Sequence, residues 1–83
     1  MPYVKQETRN NLDTVVEMME WACVKADGDL NYILYAYCKR NIKAGYGNYK
    51  NFCGELRQCA TEIERCLLGP YEDKAKEKNG DVE

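Results

Sequence analysis

The stretch Tyr49-Lys-Asn-Phe52-Cys53-Gly-Glu-Leu56-Arg-Gln-Cys59-Ala60-Thr-Glu-Ile63-Glu-Arg-Cys66-Leu67 decides the fold. Tyr49, Phe52, Leu56, Cys59, Ile63 and Cys66 recur at spacings of three and four, which is one apolar stripe along a helix. The opposite side carries Asn51, Gly54, Gln58, Glu62 and Arg65. A stripe this long must be covered by the segments before it or by another chain. An all-α protein follows: a three-helix core with a short C-terminal helix, assembled as an oligomer.

Working outward, the totals narrow the choices. Eighty-three residues make one domain at most, residues 1–83. A chain this short buries a limited core and leans on disulfides, metal or association. Five cysteines cannot all pair with one another, and no signal peptide is evident. They read as small hydrophobes in a reducing, cytoplasmic setting. With no histidine and no Cys-x-x-Cys, the usual zinc ligand spacings are missing, so no metal or other cofactor is expected. Association is left as the stabiliser. The net charge is −2 with both signs interleaved, which argues against a duplex nucleic acid partner. No apolar run approaches the roughly 20 residues that span a bilayer, so no membrane partner is expected.

Upstream, residues 1–13 read as an irregular arm that Tyr3 and Val4 could pin to the body, or as a partly ordered terminus. Helix 1 is predicted from Thr14, where Thr14-Val-Val-Glu17 has the capping-box pattern. Val15, Met19, Ala22 and Ala26 share a face, while Trp21 and Val24 fall away from it. Such a helix needs a second partner surface, or else Trp21 lies half-exposed at the edge of a core. Asp27-Gly28-Asp29 is a break, with Gly28 as a left-handed stop and Asp29 as the next N-cap.

Helix 2 is predicted from about Leu30 to Ile42, with Leu30, Ile33, Leu34, Tyr37 and Cys38 facing the core. Tyr32, Tyr35, Lys39 and Lys43 fall on the other side. Lysine stems lying over tyrosine rings are an ordinary solvated face. The same grouping can stack a flat ring and attract an anion. Lys43-Ala-Gly45-Tyr46-Gly47-Asn48 is a second break, with Asn48 capping helix 3 and Tyr46 a packing lid or a ligand contact. Gly54 costs about 1 kcal/mol against alanine inside a helix, which points to close approach by another backbone or a ligand. Arg57 with Glu64, and Glu62 with Arg65, read as surface charge pairs.

Gly69-Pro70 is predicted to end helix 3. A short helix then starts at Pro70, with Glu72 and Asp73 early and Lys74, Lys76 and Lys78 late, before Asn79-Gly80 stops it. With Tyr71 and Ala75 as its apolar residues, this tail is ordered by docking or remains solvated.

The blocks Met-Pro-Tyr-Val-Lys-Gln, Gly28-Asp29-Leu30-Asn31-Tyr32, Pro70-Tyr71-Glu72-Asp73-Lys74 and Asn79-Gly80-Asp81-Val82 together resemble a family of small uncharacterised proteins from bacteriophages and bacterial genomes. The resemblance covers nearly the whole chain in order. It implies a phage or prophage setting, hence a host cytoplasm. It also implies two basic residues late in helix 3, where this chain has Arg65-Cys66.

Three functions compete. The first is a non-enzymatic homo-oligomer that holds a nucleotide-like host signal in intersubunit pockets, with Tyr32, Tyr35, Tyr46 and Tyr71 stacking a ring and Lys39 and Arg65 holding phosphate. The second is a structural or regulatory protein that binds a host or phage protein through apolar surface. The third is an enzyme. Glu17 and Glu20 have the spacing of one half of a magnesium site in helical pyrophosphohydrolases, but no Glu-x-x-Asp follows. The chain also has no histidine base and no serine nucleophile. Catalysis is therefore disfavoured, and no catalytic residue is named.

Overall fold

A computed structural model describes residues 4–82. It is all-helical among those residues: α1 (Gln6–Trp21), α2 (Gly28–Asn41) and a long C-terminal helix. The long helix comprises α3 (Tyr46–Ile63), a π-helical turn (Glu64–Leu68) and α4 (Gly69–Asn79) without a break. The chain divides into two units, Met1–Arg40 and Asn41–Glu83.

In the first unit, α1 starts at Gln6, so the arm predicted over residues 1–13 is helical from its sixth residue. Thr14 lies mid-helix and caps nothing. Lys5 is the extended residue before the helix. The Arg9 guanidinium donates to the Val4 carbonyl at 2.8 Å, and Gln6 donates to Asn10 at 3.3 Å. These local bonds, with Glu7 in the first turn, start the helix. The expected pinning by Tyr3 lies outside the described residues.

The end of α1 also differs from expectation. Cys23 takes the left-handed conformation, with φ 54°. Its N–H donates to the Glu20 carbonyl at 3.0 Å, and the Val24 N–H donates to the Met19 carbonyl at 3.1 Å. This is a Schellman stop, and the two residues such a stop brings together, Met19 and Val24, are both half-buried. Gly28 therefore has no stopping role; it is the first residue of α2. The cap is Asp27, whose Oδ1 accepts the Asp29 N–H at 3.0 Å, while Asp29 Oδ2 accepts the Lys25 N–H at 3.3 Å. Ala26 lies beyond α1 and cannot share its face.

On α2, Leu30, Ile33, Leu34 and Cys38 are half-buried, as the periodicity predicts, whereas Tyr37 is exposed. Lys43 lies past the helix end, in the connection to α3. Within this unit the two helices do not pack along each other.

In the second unit, Tyr46 is the first residue of α3, and Asn48 sits inside the first turn. Asn48 does not cap the helix; its Nδ2 donates back to the Lys43 carbonyl at 3.0 Å. Beyond its own helix backbone, no described atom lies within 4 Å of where a Cβ on Gly54 would stand, so no other described segment approaches it.

Gly69-Pro70 does not end the helix. Proline lacks an N–H and its ring clashes with the carbonyl four residues back in an α-helix. The chain meets this by closing a wider turn, in which the Gly69 N–H donates to the Glu64 carbonyl five residues back. A Cβ on Gly69 would lie 3.2 Å from that carbonyl oxygen, tighter than ordinary packing. Glu72 and Asp73 therefore sit within a continuous helix and not at a free helix start. Gly80, at φ 86°, stops it where expected, its N–H donating to the Lys76 carbonyl at 2.7 Å. Lys76 Nζ lies 4.0 Å from the Asp81 carboxylate.

No described side chain is fully buried. Each unit thus presents its apolar residues without the three-helix core that the sequence predicts.

Candidate functional site

Tyr32, Tyr35 and Lys39 lie on α2 at spacings of three and four, which puts them on one side of that helix, and all three are exposed. Lys43, expected beside them, contributes its carbonyl to the Asn48 contact from the connection.

The other three candidates lie on the long helix. Tyr46 opens α3 and is 82% exposed. Lys50, one turn on, holds its Nζ 5.6 Å from the Tyr46 ring centroid, a cation–π pair. Lys50 was missed by the sequence reading, although its spacing of four from an aromatic residue was the available signal. Arg65 stands in the π turn, and Tyr71 follows Pro70 on α4; both are exposed. Nineteen residues of helix separate Tyr46 from Arg65, a rise of roughly 28 Å. One copy of the chain cannot bring these two side chains to one small molecule.

The second unit also holds an open depression of about 460 Å³, lined by Asn41, Ile42, Lys43, Asn48, Asn51, Phe52 and Glu55. It forms because the Asn48–Lys43 bond folds the connection back onto the first turns of α3. Half-buried Ile42 and Phe52 give it an apolar floor. Three amides and one charge of each sign rim it, so it offers both donors and acceptors. None of the six candidate residues lines it. The sequence marks Asn48 as a cap and Asn51 as part of the polar face, because periodicity does not reveal which loop folds back on a helix.

The five cysteines are free thiols. Among the described residues, no three His, Cys, Asp or Glu side chains gather as a metal site. No described helix is long and apolar enough to cross a membrane.

No curated protein and no solved structure matches the chain. A family model described as a domain of unknown function (DUF6899) does match, over residues 1–82. The match agrees with the resemblance to an uncharacterised family and assigns no activity. On that coverage, the chain belongs to the DUF6899 family.

Proposed function

We propose that this protein is a non-enzymatic binding subunit that works as a homo-oligomer, with ligand pockets completed between copies. The carrying observation is the absence of any fully buried side chain among the described residues, beside a long exposed apolar stripe. A folded domain needs about 5–15 kcal/mol of net stability. Helices of 16 and 14 residues are marginal alone in water, so half-buried faces do not supply it. Covering one large apolar side chain contributes about 1.5–3 kcal/mol, and a partner copy would cover several.

The ligand class best suited to the exposed chemistry is nucleotide-like: a flat ring with attached phosphate. Tyr32, Tyr35 and Lys39 on α2 support this, as do Tyr46 and Lys50 on α3. A phage-encoded protein of this kind would act in the host cytoplasm by sequestering a signal.

Native mass spectrometry with and without a panel of cyclic and ADP-ribose-type nucleotides tests both parts. The expected result is a defined oligomer that gains one ligand mass per pocket. An oligomer that gains nothing would remove the nucleotide, and a bare monomer would remove the oligomer as well.

A second reading rests on the end of α1. Trp21 is 80% exposed there, with Val15, Val16 and Met18 exposed before it. That surface suits a host or phage protein partner. Binding of one defined protein by the monomer, abolished in Trp21→Ala, would favour it.

A further inference from the structure

The π turn brings the two halves of the long helix into one phase. Before it, Tyr49, Phe52, Leu56, Cys59 and Ile63 are spaced three, four, three and four, so the stripe runs straight. After it, Ile63, Leu67, Tyr71 and Ala75 are spaced by four throughout. In an α-helix each four-residue step overshoots a full turn by about 40°, so Ala75 would sit about 120° off the line. The bond from the Gly69 N–H to the Glu64 carbonyl takes one extra residue into a turn. That rolls everything beyond it back by about 100°. Leu67, Leu68, Tyr71 and Ala75 thereby continue the line from Tyr49 to Ile63. Cys66, counted with the stripe from sequence, rotates off it.

The straightened line has a size and a charge pattern. Tyr49, Leu56, Ile63, Leu67, Leu68 and Tyr71 leave 38–70% of their surfaces exposed. At about 150–250 Å² per large side chain, that is roughly 600 Å² for one copy. Two copies facing each other would bury up to about 1,200 Å², at the lower end of the range of specific interfaces. Along one flank of the line, Lys50 and Arg57 precede the π turn, and Glu64 and Glu72 lie in and beyond it.

Resting on the oligomeric reading above, we infer that the line is covered by the same line of a second copy running antiparallel. In this register Arg57 faces Glu64 of the partner copy, and Lys50 faces Glu72 of the partner copy. The two-fold axis repeats each pair. The same register stacks Tyr49 on Tyr71, Phe52 on Leu68, Leu56 on Leu67 and Cys59 on Ile63. Each small residue then meets a large one, which keeps the axes evenly spaced. A parallel pair would instead put Cys59 on Cys59 and Ala75 on Ala75, leaving thin layers beside thick tyrosine layers. The antiparallel register also sets Tyr46 and Lys50 beside Tyr71 of the partner copy, a tyrosine–lysine–tyrosine group that one chain does not contain.

Charge exchange on the full chain tests the register. Arg57→Glu alone and Glu64→Arg alone should each weaken self-association roughly tenfold by analytical ultracentrifugation, because each places like charges together twice. Arg57→Glu with Glu64→Arg should restore it to near the original value. Residues 57 and 64 are two turns apart on one helix, so the rescue does not arise within a chain. Ile63→Lys, checked for retained helicity by circular dichroism, should give monomer. Self-association without rescue by the double exchange would overturn the antiparallel register and leave the oligomer standing. A wild-type protein that is monomeric at all concentrations would overturn both.

Discussion

Cys23 sits in a left-handed backbone that costs a residue with a β-carbon about 1–2 kcal/mol relative to glycine. Cys23→Gly should therefore raise stability by about 1 kcal/mol, read as a higher midpoint in thermal or urea unfolding. If the midpoint falls, the thiol contributes something that the backbone account omits. Asp27→Ala should lower stability by about 1 kcal/mol, because the Asp29 N–H loses its acceptor at the start of α2. These two residues also show what residue-level rules can reach. A break between Trp21 and Leu30 was legible from Asp27-Gly28-Asp29. Its internal assignments were not, because the stop falls on a cysteine and the glycine is merely the first helical residue. Position 23 tolerates the strain since the two Schellman bonds offset it.

The elements were legible where an apolar period marks them and illegible where it is absent. The half-buried side of α2 follows from Leu30, Ile33, Leu34 and Cys38. The first two turns of α1 carry polar residues, with Leu12 as the first apolar one, so no period announces them. Gly69-Pro70 was read as a stop because proline breaks an α-helix, but a π turn lets the helix pass it. Two glycines in this one helix should respond oppositely to alanine. Gly54 faces open space, so Gly54→Ala should add about 1 kcal/mol to helix stability, unless an oligomer brings another backbone there. Loss of self-association in that variant would locate such a backbone. Gly69→Ala should gain nothing or lose stability, because its methyl meets the Glu64 carbonyl at 3.2 Å. Thermal melts of the two variants side by side decide the matter.

At the scale of the whole molecule, the sequence predicts a three-helix core assembled as an oligomer, whereas the described residues enclose no core. Periodicity reports which face of a helix is apolar but not whether the cover comes from the same chain. For the same reason the spacing of Tyr32, Tyr35 and Lys39 along α2 is legible in the sequence, whereas Tyr46, expected in a break, opens α3, and its separation from Arg65 along the long helix is not visible there. The melting temperature should rise with protein concentration, because association adds stability by mass action. A midpoint unchanged over a hundredfold range of concentration would mean that the single chain carries its own stability. Pro70→Ala provides a second whole-molecule test. It permits an unbroken α-helix, so helicity should rise while self-association weakens, since Tyr71 and Ala75 would rotate off the common line.

The lack of an enclosed core among the described residues also sets a timetable. Hydrogen bonds within helices close in about a microsecond or less, since the partners are neighbours in sequence. On the oligomeric reading proposed above, burial of the stripe waits for two molecules to collide. Refolding should thus separate into a fast, concentration-independent gain of helicity and a slower phase whose rate scales with protein concentration. On the same reading, the first copy released from a ribosome during synthesis remains incomplete until a second arrives.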